Sequence, residues 1–384
     1  MRILIALTYY RPHYSGLTIY TERLAKALAK RGHEVTVLTS QFDKKLPRDE
    51  MVDGVHVMRL PVVYRISKGV IMPSMPFRAM KEIRKADIVN LHLPQLDAAP
   101  IAVTAKVMGR PVVVTYHCDL LLPPTMINRL ANIASDLANH ISALSANVIV
   151  TNTIDYALAS GFLGQYLNKV REVPPPATMP QVSQEKVQNF REKHHIHSHE
   201  KVIGMVGRLA AEKGAEYLVR AMPQILEKHP EARVVHVGQY QAVMGEEAYA
   251  QMLQPLVYDL GDRWQFLGIV PDEELAAFFQ VCDVVAVPST NSTESWGIVQ
   301  VESMICGTPA VASDMPGTRR PVQMTGMGKI FPLRDVAGLA ESIIEILDHP
   351  KRFQGDVPGI RAQFSPETIS GKYEEIFKEL IGNS

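Results

Sequence analysis

Four prolines within seven residues, Pro174, Pro175, Pro176 and Pro180, interrupt this chain near its middle, and neither a helix nor a central strand survives such a run. On each side of it, short β-branched segments alternate with segments of helix length. Before the break, Arg2 to Leu7, Glu34 to Thr39, Asp87 to Leu91, Pro111 to Tyr116 and Asn147 to Thr151 read as strands. Gly16 to Arg31 reads as a helix with Ile19, Leu24, Ala27 and Leu28 on its apolar face. After the break come strands at Lys201 to Val206, Ala232 to Val237, Trp264 to Leu267 and Asp283 to Val287, with helices at Gly214 to Glu227 and Pro271 to Gln280. Such alternation predicts a parallel sheet wound on both faces. The chain therefore reads as two doubly wound α/β domains, residues 1–173 and 181–360, joined by a linker at 174–180. A last amphipathic segment within 361–384 puts Ile369, Tyr373, Ile376, Phe377 and Leu380 on one side and is expected to pack back on the first domain.

Three scattered cysteines, Cys118, Cys282 and Cys306, support neither a disulfide framework nor a zinc knuckle. Together with an opening apolar run too short for a signal peptide and no span of membrane length, they point to the cytoplasm. The formal net charge is zero, yet residues 1–173 hold 21 Lys+Arg against 13 Asp+Glu, and residues 174–384 hold 19 against 27. A basic first half suits an anionic partner, although solubility alone can divide charge in this way. The run His194-His195-Ile196-His197-Ser198-His199 lacks the acidic or cysteine partners of a metal site and reads as a solvated turn.

Ligands of open parallel sheets bind outside the carboxyl ends of the strands, where helix starts face an anion. Four segments there are unusual. In Pro12 to Leu17, Gly16 allows close approach of a phosphate, or Ser15 merely caps the helix. His117 and Asp119 follow the Pro111 strand, where the imidazole either donates to a ligand or bonds within its loop. Arg208 and Lys213 flank a sharp connection into a helix and suit a diphosphate leaving group. In Pro288 to Gly307, Glu294 precedes a helix expected to begin near Trp296, so that the amides of Trp296, Gly297 and Ile298 form an anion-binding start. Glu302 then falls about two turns inside it. A carboxylate interacting with the helix dipole and a solvated helix residue are the plain alternatives for Glu294 and Glu302.

The segment Glu294 to Glu302 resembles the E-x7-E motif of retaining GT-B glycosyltransferases of family four. The likeness extends to Gly207-Arg208-Leu209, Lys213-Gly214, Val287-Pro288-Ser289, Gly307 to Ser313 and Arg31 to Val35. It implies two Rossmann-like domains facing across a cleft, with the nucleotide-sugar donor on the second and the acceptor on the first. It further implies that Arg208 and Lys213 hold the diphosphate, that Glu294 with the amides of Trp296, Gly297 and Ile298 holds the hexose, and that Glu302 bonds the ribose. Gly268 to Val270 border the base, and His117 lies near the transferring sugar. The implied chemistry is retaining transfer from a UDP- or GDP-sugar without a cofactor or metal, in keeping with the absence of any D-x-D. Ser15-Gly16 stands where many relatives have Gly-Gly, and Trp296 where many have Phe.

A sugar-nucleotide epimerase, a glycan phosphorylase and a non-catalytic nucleotide-sugar binding protein are the rival readings. For the acceptor, residues 65–85 place Arg65, Lys68, Arg78, Lys81, Arg84 and Lys85 among Val70, Ile71, Met72, Met75, Phe77 and Met80. The mixture suits peripheral contact with an anionic membrane on its inner face, or a helix with one buried and one basic side. No nucleic-acid fold signature accompanies the basic half.

Overall fold

The computed structural model describes residues 1–66, 69–120 and 126–382. They form two compact units, Met1–Pro176 with Phe364–Ser384, and Ala177–Gln363. Both are α/β, as the alternating pattern predicts.

The first unit holds strands β1 (Arg2–Ala6), β2 (Glu34–Gln41), β3 (Asp49–Val52), β4 (Val55–Pro61), β5 (Tyr64–Ile66), β6 (Gly69–Ile71), β7 (Ile88–Leu93), β8 (Val112–Tyr116), β9 (Val148–Thr151) and β10 (Val170–Glu172). The main sheet runs β10-β9-β8-β7-β1-β2-β4-β3, parallel except for the β3–β4 edge pair, while β5 and β6 make a separate hairpin. Successive residues of β1 enter opposite cores, because side chains alternate across a strand. Ile3 and Ile5 pack with Leu24 and Leu28 of helix α1 (Gly16–Lys30), and Leu4 and Ala6 pack with Met75, Ala79 and Ile83 of helix α2 (Met75–Ile83). Burial on both faces explains why these strands read as apolar runs.

The C-terminal helix Pro366–Gly382 inserts Ile369, Tyr373 and Phe377 into the same core as α1. The buried Tyr373 hydroxyl bonds Tyr20 Oη at 2.8 Å and Thr115 Oγ1 at 2.9 Å, and Thr115 donates onward to Asn90 Oδ1 at 3.0 Å. This polar network ties the last helix to α1 and to the end of β8.

The second unit is a parallel sheet of order β13-β12-β11-β14-β15-β16, with β11 (Lys201–Val206), β12 (Ala232–Val237), β13 (Trp264–Gly268), β14 (Val284–Val287), β15 (Ala310–Ser313) and β16 (Gly328–Phe331). Helix Ala215–Lys228 covers one face through Leu218, Met222 and Ile225.

Among the described residues between 65 and 85, only Met75–Ile83 is helical, and Arg65, Ile66 and Gly69–Ile71 belong to the paired strands β5 and β6. Val70, Met72 and Met75 are core residues, whereas Ile71 and Phe77 are exposed. Lys68 lies outside the described residues. No helix among the described residues is long and apolar enough to cross a membrane.

Candidate functional site

The order of the second sheet reverses at β11, whose neighbours are β12 on one side and β14 on the other. Ligands of such sheets sit at the carboxyl edge beside the reversal, where the two outgoing loops diverge. The loops there are Gly207–Gly214 after β11 and Pro288–Gly297 after β14. They meet backbone to backbone: Thr290 N donates to Glu212 O at 3.0 Å and Thr290 Oγ1 to Ala211 O at 3.1 Å. Gly214 makes this approach possible. It has φ +68, and a Cβ there would stand 2.0 Å from Pro288 O. The result is an ion pair 81 residues apart in sequence, Lys213 Nζ to Glu294 Oε2 at 2.5 Å. Arg208 pairs with Glu212. Each cation thus faces a carboxylate.

Several contacts fix Glu294. Its carbonyl accepts from Thr318 Oγ1 at 3.0 Å, and Gln300 Nε2 donates to Thr318 O at 2.8 Å and to Trp296 O at 3.1 Å. Gln300 comes within 2.6 Å of where a Cβ on Gly297 would lie, and Gly297 is left-handed at φ +82. The Trp296 ring is buried and anchors the loop from below. The helix begins at Ile298 rather than near Trp296, because left-handed Gly297 occupies its N-cap. Glu302 is therefore the fifth helical residue, little more than one turn inside, and is only 5% exposed. Its burial excludes the solvated-helix alternative. Gly268 ends β13 with φ +73 and accepts from Gly238 N at 2.8 Å, which sets the Gly268–Val270 turn beside the loop after β12. There Tyr240 stacks on Phe266 with ring centres 4.6 Å apart.

In the first unit the order reverses at β1, between β7 and β2. Ser15 caps α1 by accepting from Thr18 N at 3.2 Å. A Cβ on Gly16 would meet nothing within 4 Å, so the helix start is open there. His117, at the end of β8, stacks on His92 at the end of β7, with His117 Nε2 and His92 Nδ1 at 2.9 Å. His92 Nδ1 also lies 2.9 Å from Thr21 Oγ1, whose proton goes to Leu17 O at 2.9 Å. Thr21 must then accept, so the His92 proton sits on Nδ1, His117 Nε2 accepts, and the His117 proton sits on Nδ1. The opposite tautomer would bury an N–H at His92 Nε2, an atom with no partner among the described residues, and an orphaned donor is costly. Asp119 braces its loop: its Oδ1 accepts from Tyr116 Oη at 2.9 Å and from Ser160 Oγ at 2.8 Å.

Sequence reasoning missed His92, whose signal was a second histidine at a strand end. It missed Gln300, a polar residue in the first turn of an apolar helix.

Burial pushes the imidazoles of His117 down to about 3 and His236 down to about 4. Burial and repulsion from His117 take His92 well below the ordinary range. The unfolded chain takes up protons at these rings near pH 6.5, the folded chain only far below. Their contribution to stability is therefore complete above about pH 6.5 and declines as pH falls toward 4, by up to about 1.4 kcal/mol per pH unit for each ring. Thermal melts from pH 7 to pH 4.5 should show a falling Tm. His236→Gln, which keeps a donor for Gly207 O, should make the fall shallower. An unchanged slope in that variant would place the proton uptake elsewhere.

Two family descriptions match the chain, Glycosyl transferase 4-like domain over residues 15–176 and Glycosyl transferases group 1 over residues 186–354. An uncharacterized glycosyltransferase of Methanocaldococcus jannaschii is 32% identical over 339 residues, 83% of this chain and 81% of that protein. The chain belongs to glycosyltransferase family four. This glycosyltransferase is also similar to a phosphatidyl-myo-inositol mannosyltransferase of Mycolicibacterium smegmatis, 26% identical over 368 residues, 91% of this chain and 85% of the relative. Its fold matches that of Anabaena HepE, solved in complex with UDP, with a TM-score of 0.77 at 20% identity over 99% of this chain and 100% of that one. The glycosyltransferase fold is thus GT-B.

Proposed function

We propose that this glycosyltransferase moves a hexose from a UDP- or GDP-sugar to a hydroxyl of a glycan, lipid or small molecule, with retention at the anomeric carbon and without a divalent metal. The observation that carries this reading is the Lys213–Glu294 pair at the sheet reversal. It joins a cation suited to a diphosphate and a carboxylate suited to sugar hydroxyls on loops locked to one another. HepE solved with UDP-glucose supports a nucleotide-sugar donor, and the mannosyltransferase, whose name gives it an inositol phospholipid acceptor, leaves a lipid among the acceptor classes.

In this reading Arg208 and Lys213 take up the charge that grows on the diphosphate as the bond to the sugar breaks. That is work a metal ion performs in other enzymes. Glu294 and the amides of Trp296, Gly297 and Ile298 hold the hexose, Glu302 the ribose hydroxyls, and Gly268 and Val270 border the base. His117 offers Nδ1–H to a sugar hydroxyl. The acceptor hydroxyl enters on the face the diphosphate leaves, and its proton passes to a phosphate oxygen of the leaving group. The protein positions and stabilises, and no side chain bonds to the sugar. Membrane contact, where the acceptor is a lipid, runs through residues 65–85 at exposed Ile71 and Phe77.

With chelator present and no acceptor, a panel of UDP- and GDP-sugars should yield one donor that raises Tm and slowly releases nucleoside diphosphate. NMR of the released sugar then reads its anomer. If no donor shifts Tm or is hydrolysed, the donor site is wrong and a role without transfer replaces it.

A further inference from the structure

We infer that the first unit carries a separate anion site, a groove between the β3–β4 hairpin and α2 that binds a phosphate ester. The groove has a volume of about 500 Å³, within the range of small-molecule pockets, roughly 300–1,000 Å³. Arg48, Arg78 and Lys81 line it. Among the described residues neither Arg48 nor Lys81 has a side-chain hydrogen bond or ion pair.

Arg78 is poorly satisfied. Its Nη2 rests 3.7 Å from Met58 Sδ, a weak acceptor, and its Nε lies 3.5 Å from a Glu82 carboxylate that Lys85 holds at 2.9 Å. Ser74 stands at the N-cap of α2, yet makes no cap bond, and its buried hydroxyl has no partner among the described residues. The positive end of that nine-residue helix therefore opens on the groove without a capping side chain. Asp49, the acid of the lining, is bonded to His56 Nε2 at 2.7 Å.

Three under-used cations beside an uncapped helix start suit a group with several charged oxygens. Met58, Leu60 and Phe77 offer apolar walls to the organic part, and Phe77 is 74% exposed at the rim. A phosphate ester combines both features. It can come from a lipid headgroup or from a soluble sugar or polyol phosphate. Binding of this ligand does not rest on the transferase reading, and it is measured without donor.

Two probes separate the sources: titration calorimetry with glycerol 1-phosphate, and flotation with vesicles of phosphatidylcholine containing phosphatidylglycerol. Arg48→Gln/Lys81→Gln alters exposed side chains and should keep the wild-type Tm while weakening binding roughly tenfold or more per cation lost. Phe77→Ser should weaken only vesicle binding. Binding of the soluble ester assigns a soluble ligand, and binding of vesicles alone assigns a lipid headgroup. Either result supports the site if the double variant loses it. Failure of both probes, or equal binding by the double variant, overturns it whatever the transfer assays show.

Discussion

Lys213→Ala is expected to lower kcat/KM for sugar transfer on the order of 10²- to 10³-fold, the scale seen when one fixed donor to a developing anion is removed. Tm should move by no more than a few degrees. The two effects separate because the Lys213 side chain is 28% exposed and its pair with Glu294 is partly solvated, and such pairs contribute about 1 kcal/mol or less. In the transition state the same ammonium faces charge gathering on the departing diphosphate, in a site from which the ligand has displaced water. Lys213→Arg is not expected to restore the rate, since a planar fork replaces a compact charge on a loop with little room to adjust. Steady-state kinetics with the donor found in the panel, beside melts of each variant, measure both quantities. A kcat/KM within threefold of wild type would remove Lys213 from the reaction.

The Lys213–Glu294 contact also marks how far the sequence could be read. Strands β1, β11 and β12 were legible almost to the residue, because a parallel strand covered on both faces must be apolar throughout and ends where polar or glycine residues begin. The region from Asp49 to Ile71 was not, since β3, β5 and β6 are short antiparallel strands with weak patterns, and β4, though parallel to β2, is interrupted by His56 and Arg59. Within the site, Arg208, Lys213 and Glu294 were recognisable as residues following strands. Their pairing was not, because the alternation of strands and helices does not fix strand order, and only the placement of β14 beside β11 brings the two loops together. The His92–His117 chain was hidden for the same reason. The two histidines are 25 residues apart and meet only because β7 and β8 are neighbours in register.

Two glycine-to-alanine substitutions should have opposite outcomes, and the contrast tests whether the donor loops are built as described. Gly214→Ala forces a Cβ to within 2.0 Å of Pro288 O at a left-handed backbone position. The obstacle is backbone, so no side-chain rotation relieves it. The loops must part, which breaks the bonds of Thr290 to Ala211 and Glu212 and separates Lys213 from Glu294. Strain at a left-handed position together with lost buried hydrogen bonds predicts a destabilisation of about 3 kcal/mol or more. For a unit of this size that is a fall in Tm of roughly 6–12 °C. Donor binding should weaken as well at temperatures where the chain is still folded. Gly16→Ala is the control: its Cβ meets nothing within 4 Å, its φ is ordinary, and it sits at the start of a helix that alanine favours. That variant should melt within about 2 °C of wild type, a shift of roughly 0.5 kcal/mol. Calorimetric melts and donor titration of both variants decide the matter. If Gly214→Ala melts and binds donor like wild type, the loops after β11 and β14 do not touch through their backbones, and the geometry that sets Lys213 against Glu294 is wrong.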